Sequence, residues 1–371
     1  MIVAYFRRLR KRNSCGLQDD PPAGRKPVYQ MKRWFASEQI YAIMVTVLYK
    51  EKTMALTLEK ILAARERIAP YVIKTPLLRL SALDPVFGCR VFAKAECMQI
   101  TGAFKLRGAF NKVLQLSPEE LAAGVVAASS GNHGRGLAYA AKTLGIPATI
   151  VIPDTAPQLK VDNILALGAE VVRCGLAERF DVAARIAKEK GAVIVPPYNN
   201  EEIMAGQGTV GLEVLEQEPS IEKIIVPVSG GGLIGGIAAA VKALRPDVAV
   251  WGAEPAAAPR YSVSLKEGKP TRITVEKSFA DALVANMPGD VCFPYVARNV
   301  DGVAAITDES MLRAHKRLLF EGKLLAEFSS AIGLGGVLEG KIPVRPDENV
   351  CFVISGGSIG PEQLDRLKSV Q

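Results

Sequence analysis

The sequence predicts an α/β protein with two domains, each a mostly parallel sheet flanked by helices. After residue 54, short apolar runs alternate with stretches of helical periodicity, a pattern typical of parallel sheets. The chain has 371 residues and 49% hydrophobic content, which is enough for a large core. Typical domain sizes suggest about two domains for this length. We expect a small domain over 122–200, inserted between the two parts of a larger domain over 54–121 and 201–371.

The first 53 residues differ from the rest in charge. They contain 11 Lys/Arg and 4 Asp/Glu, whereas the remaining residues contain 35 and 34. A nearly neutral body argues against nucleic acid as a partner. The apolar run over 40–49 is shorter than the roughly 20 residues that cross a bilayer, so we expect no membrane partner. We expect residues 1–53 to be an upstream extension, disordered or preceding a functional start at Met54; a targeting presequence or a membrane-surface segment is the alternative.

The cysteines and histidines exclude several site types. Six scattered cysteines form no CxxC pair, and only two histidines are present. These counts argue against a zinc ribbon, a redox pair and a three-histidine metal site. Scattered thiols in apolar strands favour buried structural roles and a reducing cytoplasm.

The strand-like runs form two groups. The first group is 124–128, 149–152, 170–174 and 192–195, and the second is 223–228, 248–252 and 349–354. Ligands of open α/β sheets bind at the carboxyl ends of the strands. Three glycine-rich junctions lie at such ends, so the sequence predicts one site there.

The first junction, 101–109, isolates one lysine. A strand-like run over 91–95 precedes it, and the apolar spacing becomes helical after Leu106. Lys105 therefore lies in a glycine-flanked loop that opens a helix. Such a lysine can act as a nucleophile once its ammonium loses a proton, or it can bind a phosphate. An exposed lysine in a first helical turn is the alternative.

The second junction, 129–134, follows a strand and precedes a helix. Its helix N-terminus, with serine hydroxyls and the Asn132 amide, would make a good carboxylate cradle. An ordinary N-cap with turn glycines is the alternative, and it explains only part of this run of small and polar residues.

The third junction, 229–236, contains five glycines whose backbone N–H groups can wrap a phosphate. Gly230, Gly232 and Gly235 also satisfy G-x-G-x-x-G, and Glu254 follows at the spacing of a dinucleotide fingerprint. An NAD-dependent oxidoreductase is therefore a rival interpretation. A fourth turn, 355–358, follows the strand-like run at 349–354.

Together, a lysine, a phosphate nest and a carboxylate cradle indicate a pyridoxal phosphate enzyme acting on a small-molecule amino acid. The NAD interpretation leaves the first two junctions unexplained. A third possibility is a cofactor-binding carrier or regulator without turnover.

The same junctions carry a family resemblance. From about residue 56 to residue 360 the chain resembles the fold-type II pyridoxal phosphate enzymes, whose fold is that of the tryptophan synthase β chain. Within them it is most similar to the threonine/serine dehydratase and serine racemase group. Ala103 replaces a more usual serine, Leu106 stands where synthase relatives usually have aspartate, and His133 stands where cysteine synthases usually have threonine.

The resemblance implies pyridoxal 5'-phosphate as cofactor and elimination of water from L-threonine or L-serine, giving 2-oxobutyrate or pyruvate and ammonia. Serine racemization, or a lyase reaction on another β-hydroxy amino acid, is the alternative. Lys105 would be the Schiff-base lysine and the base at Cα, and Ser130 the acid/base on the opposite face. The remaining implied contacts are Phe104 with the cofactor ring, Asn132 with the ring hydroxyl, Ser355 with the pyridine nitrogen, Ser229, Gly230, Gly231, Gly232 and Leu233 with the phosphate, and Ser129, Ser130, Gly131, Asn132 and His133 with the substrate.

Two departures from the family pattern affect the expected site. Glu254, Ala258 and Arg260 fall where metal-dependent relatives have Glu, a backbone carbonyl and Asp. Because a cation among the ligands would repel Mg²⁺ or Ca²⁺, we expect no metal site, with Arg260 either pairing with Glu254 or pointing to solvent. Phe328, next to Glu327, is expected to alter the substrate pocket. The family also implies a homo-oligomer, a dimer or tetramer.

Overall fold

The computed structural model describes residues 56–129, 131–156 and 158–370. The predictions for residues 1–53, for a start at Met54 and for Ser130 therefore lie outside the described residues.

Ten strands in the described ranges form two sheets, which confirms the predicted α/β fold class. The strands are β1 Leu77–Arg79, β2 Arg90–Lys94, β3 Val125–Ala128, β4 Ala148–Pro153, β5 Glu170–Cys174, β6 Val193–Ile194, β7 Lys223–Pro227, β8 Ala249–Pro255, β9 Gly302–Ile306 and β10 Asn349–Val353. The six-stranded sheet has the order β1-β2-β10-β7-β8-β9, and the four-stranded sheet has the order β5-β4-β3-β6. All neighbours are parallel except β1 and β2, which are antiparallel.

Helices connect these strands. They are α1 Leu58–Ile68, α2 Asp84–Phe87, α3 Lys105–Val113, α4 Pro118–Ala123, α5 Asn132–Leu144, α6 Gln158–Leu165, α7 Arg179–Lys190, α8 Glu201–Gln217, α9 Gly232–Leu244, α10 Arg260–Glu267, α11 Phe293–Asn299, α12 Asp308–Phe320, α13 Ile332–Leu338 and α14 Pro361–Leu364. Short 3-10 turns at Glu96–Met98 and Phe328–Ala331 lie near the site. None of the helices in the described ranges has both the length and the apolarity needed to cross a membrane.

Local sequence accounts for several helix starts. Thr57, Asn200 and Thr307 each accept a hydrogen bond from a backbone N–H in the first turn of α1, α8 and α12. Such N-caps satisfy donors that have no acceptor inside the helix.

The helix α3 links the two sheets. The strand that precedes it, β2, belongs to the six-stranded sheet, whereas Leu106, Phe110 and Val113 of α3 pack in the core that covers the four-stranded sheet. Its first residue, Lys105, therefore lies where the chain passes from one sheet to the other, beside the carboxyl ends of strands from both.

Candidate active site

The loop that carries Lys105 is bonded to the segment that follows β10. The Phe104 backbone N–H donates to the Ser355 carbonyl at 3.1 Å, and Ala103 forms an isolated antiparallel bridge with Gly356. The parallel neighbours β2 and β10 end side by side, so their following loops meet at the same sheet edge. The structure therefore brings the first junction and the turn at 355–358 together.

The Lys105 side chain is partly buried, and its amine is hydrogen-bonded within the fold. Its Nζ donates to the Pro197 carbonyl at 2.6 Å and lies 5.0 Å from the centre of the Phe104 ring. Burial lowers the pKa of Lys105 to about 8, against weaker opposing effects of Cys292 and Glu327. Since desolvation disfavours the charged form, much more of this lysine is uncharged near neutral pH than of an exposed one. An uncharged amine is the nucleophilic and basic form.

The loop over 229–232 joins β7 to α9, and its three glycines have no room for side chains. Gly231 has φ +101°, and a Cβ there would collide with the Tyr261 hydroxyl, while a Cβ on Gly230 would collide with the Tyr198 ring. The Gly230 carbonyl accepts from Tyr261 Oη at 3.1 Å and from the Gly289 N–H at 2.9 Å, which fixes the loop.

This loop ends at the N-terminus of α9, a helix of 13 residues that starts at Gly232 and continues with Leu233. The first N–H groups of a helix lack intrahelical acceptors and bind anions. Ser229 Oγ accepts from the Ala285 N–H at 3.3 Å. Tyr198, which covers the glycines, is next to Pro197, whose carbonyl holds Lys105; the third junction therefore lies near the lysine.

The second junction is hydrogen-bonded to the turn at 355–358. Asn132, the first residue of α5, donates through Nδ2 to both carboxylate oxygens of Glu327 at 3.1 and 3.0 Å and accepts from Ser358 Oγ at 2.6 Å. Ser129 and Gly131 lie just before α5, and the Gly131 N–H donates to Ser129 Oγ at 3.4 Å.

His133 is directed into the interior. Its Nε2 donates to the Val195 carbonyl at 2.8 Å, which fixes the tautomer because a carbonyl can only accept. Burial, together with the nearby Lys105 charge, lowers the pKa of His133 to about 3. The ring is therefore neutral at pH 7 and anchors the start of α5 to the end of β6.

Ser355 is part of a buried hydroxyl pair. Its Oγ lies 3.1 Å from Ser330 Oγ, and Ser330 Oγ also donates to the Gly356 carbonyl at 2.8 Å and accepts from the Gly356 N–H at 2.9 Å. The Ser330 hydroxyl therefore links Ser355 to the backbone of Gly356.

Glu327 is a site residue that the motif analysis did not include among the candidates. Glu327 is 3% exposed, and its backbone N–H donates to the Gly356 carbonyl at 3.0 Å. Burial raises the pKa of Glu327 to about 7, although the Asn132 hydrogen bond opposes the shift. Glu327 does not follow a strand, so the strand-end rule could not find it. Pro197 and Tyr198 were also missed, although they follow the short strand β6.

Glu254 and Arg260 form a buried ion pair, so the expectation that they pair is confirmed and the solvent-facing alternative is wrong. Both side chains are 0% exposed, and Arg260 Nη1 lies 4.0 Å from Glu254 Oε2. The guanidinium donates to the carbonyls of Val228 at 2.9 Å and Leu283 at 2.7 Å.

The Glu254 carboxylate has further partners. It accepts from the backbone N–H groups of Tyr261 at 2.9 Å and Ser262 at 2.7 Å, at the start of α10. It is therefore buried and occupied, and cannot bind a ribose as the dinucleotide interpretation requires. Within the described ranges, no group of three or more His, Cys, Asp or Glu side chains is placed to hold a metal ion.

Comparisons with known proteins agree with this geometry. The family model "Pyridoxal-phosphate dependent enzyme" matches residues 68–356. The chain is 41% identical over 314 residues to the L-threonine ammonia-lyase of Thermotoga maritima, covering 84% of this chain and 78% of that protein. It is 41% identical over 313 residues to the serine racemase of Arabidopsis thaliana, covering 82% and 94%. The solved structure of maize serine racemase superposes with a TM-score of 0.80 at 40% identity, covering 84% and 96%.

Proposed function

Because the chain belongs to the family of pyridoxal-phosphate dependent enzymes, we propose that it is a threonine/serine ammonia-lyase. It would eliminate water from L-threonine or L-serine to give 2-oxobutyrate or pyruvate and ammonia. The observation that carries this proposal is the partly buried Lys105 amine beside an anion cradle lined by glycines. Burial lowers the pKa of this amine to about 8. Relatives named threonine ammonia-lyase, at 41% and 39% identity, support the reaction class.

The residues present fit pyridoxal phosphate. Tyr198 and Tyr261 pack so close to the glycine loop that a side chain on these glycines would collide with them. The loop continues into the N-terminus of a long helix, which makes it a suitable phosphate site. We assign the phosphate contacts to Ser229, Gly230, Gly231, Gly232 and Leu233, the covalent attachment to Lys105, and the ring contacts to Phe104, Asn132 and Ser355. When bound, the cofactor supplies an electron sink for the bonds at the substrate Cα.

The protein's own groups would hold the substrate and move its protons. The residues of the second junction, Ser129, Ser130, Gly131, Asn132 and His133, would hold the carboxylate at the N-terminus of α5, His133 through the backbone because its ring is bonded elsewhere. The uncharged Lys105 amine would take the Cα proton, since its lowered pKa matches a base working near neutral pH. Ser130 would serve the opposite face.

Serine racemization is a second candidate function. The serine racemases of Arabidopsis thaliana and maize match this chain as closely as the lyases do, at 41% and 40% identity. The two activities would use the same lysine and differ in whether the proton returns to Cα or the hydroxyl leaves.

A visible spectrum tests the lyase proposal. We would record purified protein before and after L-threonine for the wild type, for Lys105→Ala and for Lys112→Ala, a control lysine on the same helix that pairs with Glu202. We expect an absorption band that substrate perturbs, together with 2-oxobutyrate release, in the wild type and the control. In Lys105→Ala we expect an altered or trapped band and no 2-oxobutyrate.

Three other outcomes would distinguish the alternatives to the lyase proposal. No band after added pyridoxal phosphate would contradict the cofactor proposal. A band with D-serine formed from L-serine and no 2-oxo acid would favour the racemase. A band with neither product would leave a binding protein without turnover.

We extend the proposal to the domain organisation, the cellular location and the oligomeric state. A small domain over 122–200 and a larger one over 54–121 and 201–371 would enclose the site, which the separate four- and six-stranded sheets support. Free, mostly buried thiols in the described part of the chain support a cytoplasmic location. We also propose a homo-oligomer, which size-exclusion chromatography with light scattering would test.

A further inference from the structure

A buried group of charges lies directly behind the reactive lysine. It consists of Lys94, Glu96, Arg107 and Glu213, which we call the Arg107 cluster. Their side chains are at most 7% exposed, and the two cations balance the two carboxylates. The proposed chemistry uses none of them, although Arg107 is only two residues beyond Lys105 on α3.

Arg107 is hydrogen-bonded along two edges of its guanidinium group, one facing Glu96 and the other facing Glu213. Towards Glu96, Nε and Nη2 donate at 2.8 Å each, one to each carboxylate oxygen. Towards Glu213, Nη1 and Nη2 donate at 2.6 and 2.9 Å, again one to each oxygen. Two bidentate pairs on one guanidinium specify its orientation, which a lysine ammonium, a point charge, cannot reproduce.

These bonds join the two ends of the loop that carries Lys105. Glu96 begins the 3-10 turn directly after β2, and Arg107 lies in the first turn of α3. The residues between them form the loop in which Lys105 and Phe104 lie. The pair Glu96–Arg107 therefore closes this loop at its base, as a cross-link would.

The cluster also ties the loop to the rest of the fold. Lys94, the last residue of β2, donates to Glu213 of α8 at 2.6 Å and to the Thr75 carbonyl at 2.6 Å. Thr75 in turn donates its hydroxyl to Glu96 at 2.5 Å. The strand before the loop, the helix after it and the long helix α8 are thus fixed to one another.

We propose that Arg107 is a positioning residue, which holds the Lys105 amine against the Pro197 carbonyl by closing the lysine loop onto Glu96 and α8. This inference rests on the proposed function, because the position matters for the attachment of pyridoxal phosphate. Without the closure, the first turn of α3 loosens and the amine moves from its partly buried place towards solvent.

The test compares Arg107→Lys with Lys223→Met. Lys223 forms an ion pair of similar burial with Glu348 at 2.9 Å, with side chains 8% and 3% exposed, but at the first residue of β7, the strand end opposite the glycine loop. Arg107→Lys leaves two buried carboxylates with poorer partners and Lys223→Met leaves one, so both should lower the denaturation midpoint. Glu96→Gln, which keeps a hydrogen-bonding side chain, is the milder variant if Arg107→Lys does not fold.

The decisive readout needs no turnover. In apoprotein, we would follow the modification of Lys105 by an amine reagent against pH, using peptide mass spectrometry, and then covalent capture of pyridoxal phosphate after borohydride reduction. We expect the midpoint for Lys105 to rise by about one pH unit in Arg107→Lys, which is a roughly tenfold smaller uncharged fraction at pH 7, with capture reduced alongside. Lys223→Met should keep the wild-type profile at equal loss of stability.

An unchanged Lys105 profile in folded Arg107→Lys and Glu96→Gln would overturn the inference, as would an equal shift in Lys223→Met. If the wild type captures no pyridoxal phosphate, the proposed function fails. The Lys105 profile would still decide whether Arg107 positions the amine.

Discussion

Glu327→Gln should stabilise the folded apoprotein near pH 8 but not near pH 4.5. Burial raises the pKa of Glu327 from an ordinary 4.5 to about 7. Between these values the native state holds a proton that the unfolded chain has released, so stability falls as the pH rises through this window. Above pH 7 the full cost of burying the charge is present, and a neutral glutamine avoids it.

The size of this effect follows from the shift. At 1.36 kcal/mol per unit, the change from 4.5 to about 7 corresponds to roughly 3 kcal/mol. For a chain of this size we expect the thermal midpoint at pH 8 to rise by roughly 3–6 °C, with little difference from the wild type at pH 4.5. Glutamine can still accept from the Asn132 amide, so the contact is retained in part.

The assay is thermal or urea denaturation of the apoprotein at pH 4.5 and 8. Glu276→Gln removes an exposed carboxyl and serves as the control. A destabilised Glu327→Gln at pH 8, or the same difference from the wild type at both values, would refute the reasoning. It would show that the carboxylate is stabilised by its surroundings rather than penalised by burial.

Three further outcomes follow from the site. Gly231→Ala forces a side chain onto the Tyr261 hydroxyl at φ +101°, so binding of pyridoxal phosphate, measured by titration, should weaken by roughly 5- to 100-fold. The control is Gly268→Ala, which also places alanine at a positive φ but at a helix end with open space around it. This variant should bind pyridoxal phosphate as the wild type does. Chelator should leave activity unchanged, because the Arg260 cation lies beside Glu254; a loss that Mg²⁺ restores would contradict this. Because burial lowers the pKa of His133 to about 3, the wild type should lose stability as the pH falls from 6.5, and His133→Gln should lose less in acid denaturation.

The sequence was sufficient for the features that depend on local pattern. Parallel strands buried on both faces are continuous apolar runs, so β4, β7 and β10 were predicted within a few residues. Glycine-rich turns at the ends of such strands located Lys105, Asn132 and the loop over 229–232. Antiparallel β1 has only three residues, and β9 is rich in Gly and Ala, which have low strand propensity, so both were missed.

Tertiary contacts decided the rest. Asn132 and Glu327 are 195 residues apart, and no local pattern pairs them. His133 belongs to a polar junction, yet its ring turns inward to Val195 because β6 runs beside β3. Arg107 lies within the first junction, but its two carboxylate partners, Glu96 and Glu213, come from separate elements, so these ion pairs were not visible in the sequence.

The strand order of the larger sheet has a consequence for how the chain acquires its structure. β10 lies between β2 and β7, although it follows β7 by more than a hundred residues and β2 by more than two hundred. Until β10 is in place, both neighbours present unpaired apolar edges, which are templates for aggregation. The strands of the four-stranded sheet, in contrast, all fall between Val125 and Ile194 and can pair early. In pulsed hydrogen exchange during refolding, amides of β3 and β4 should become protected before those of β2 and β7, and a chain stalled between these stages would be the species that a chaperone has to shield.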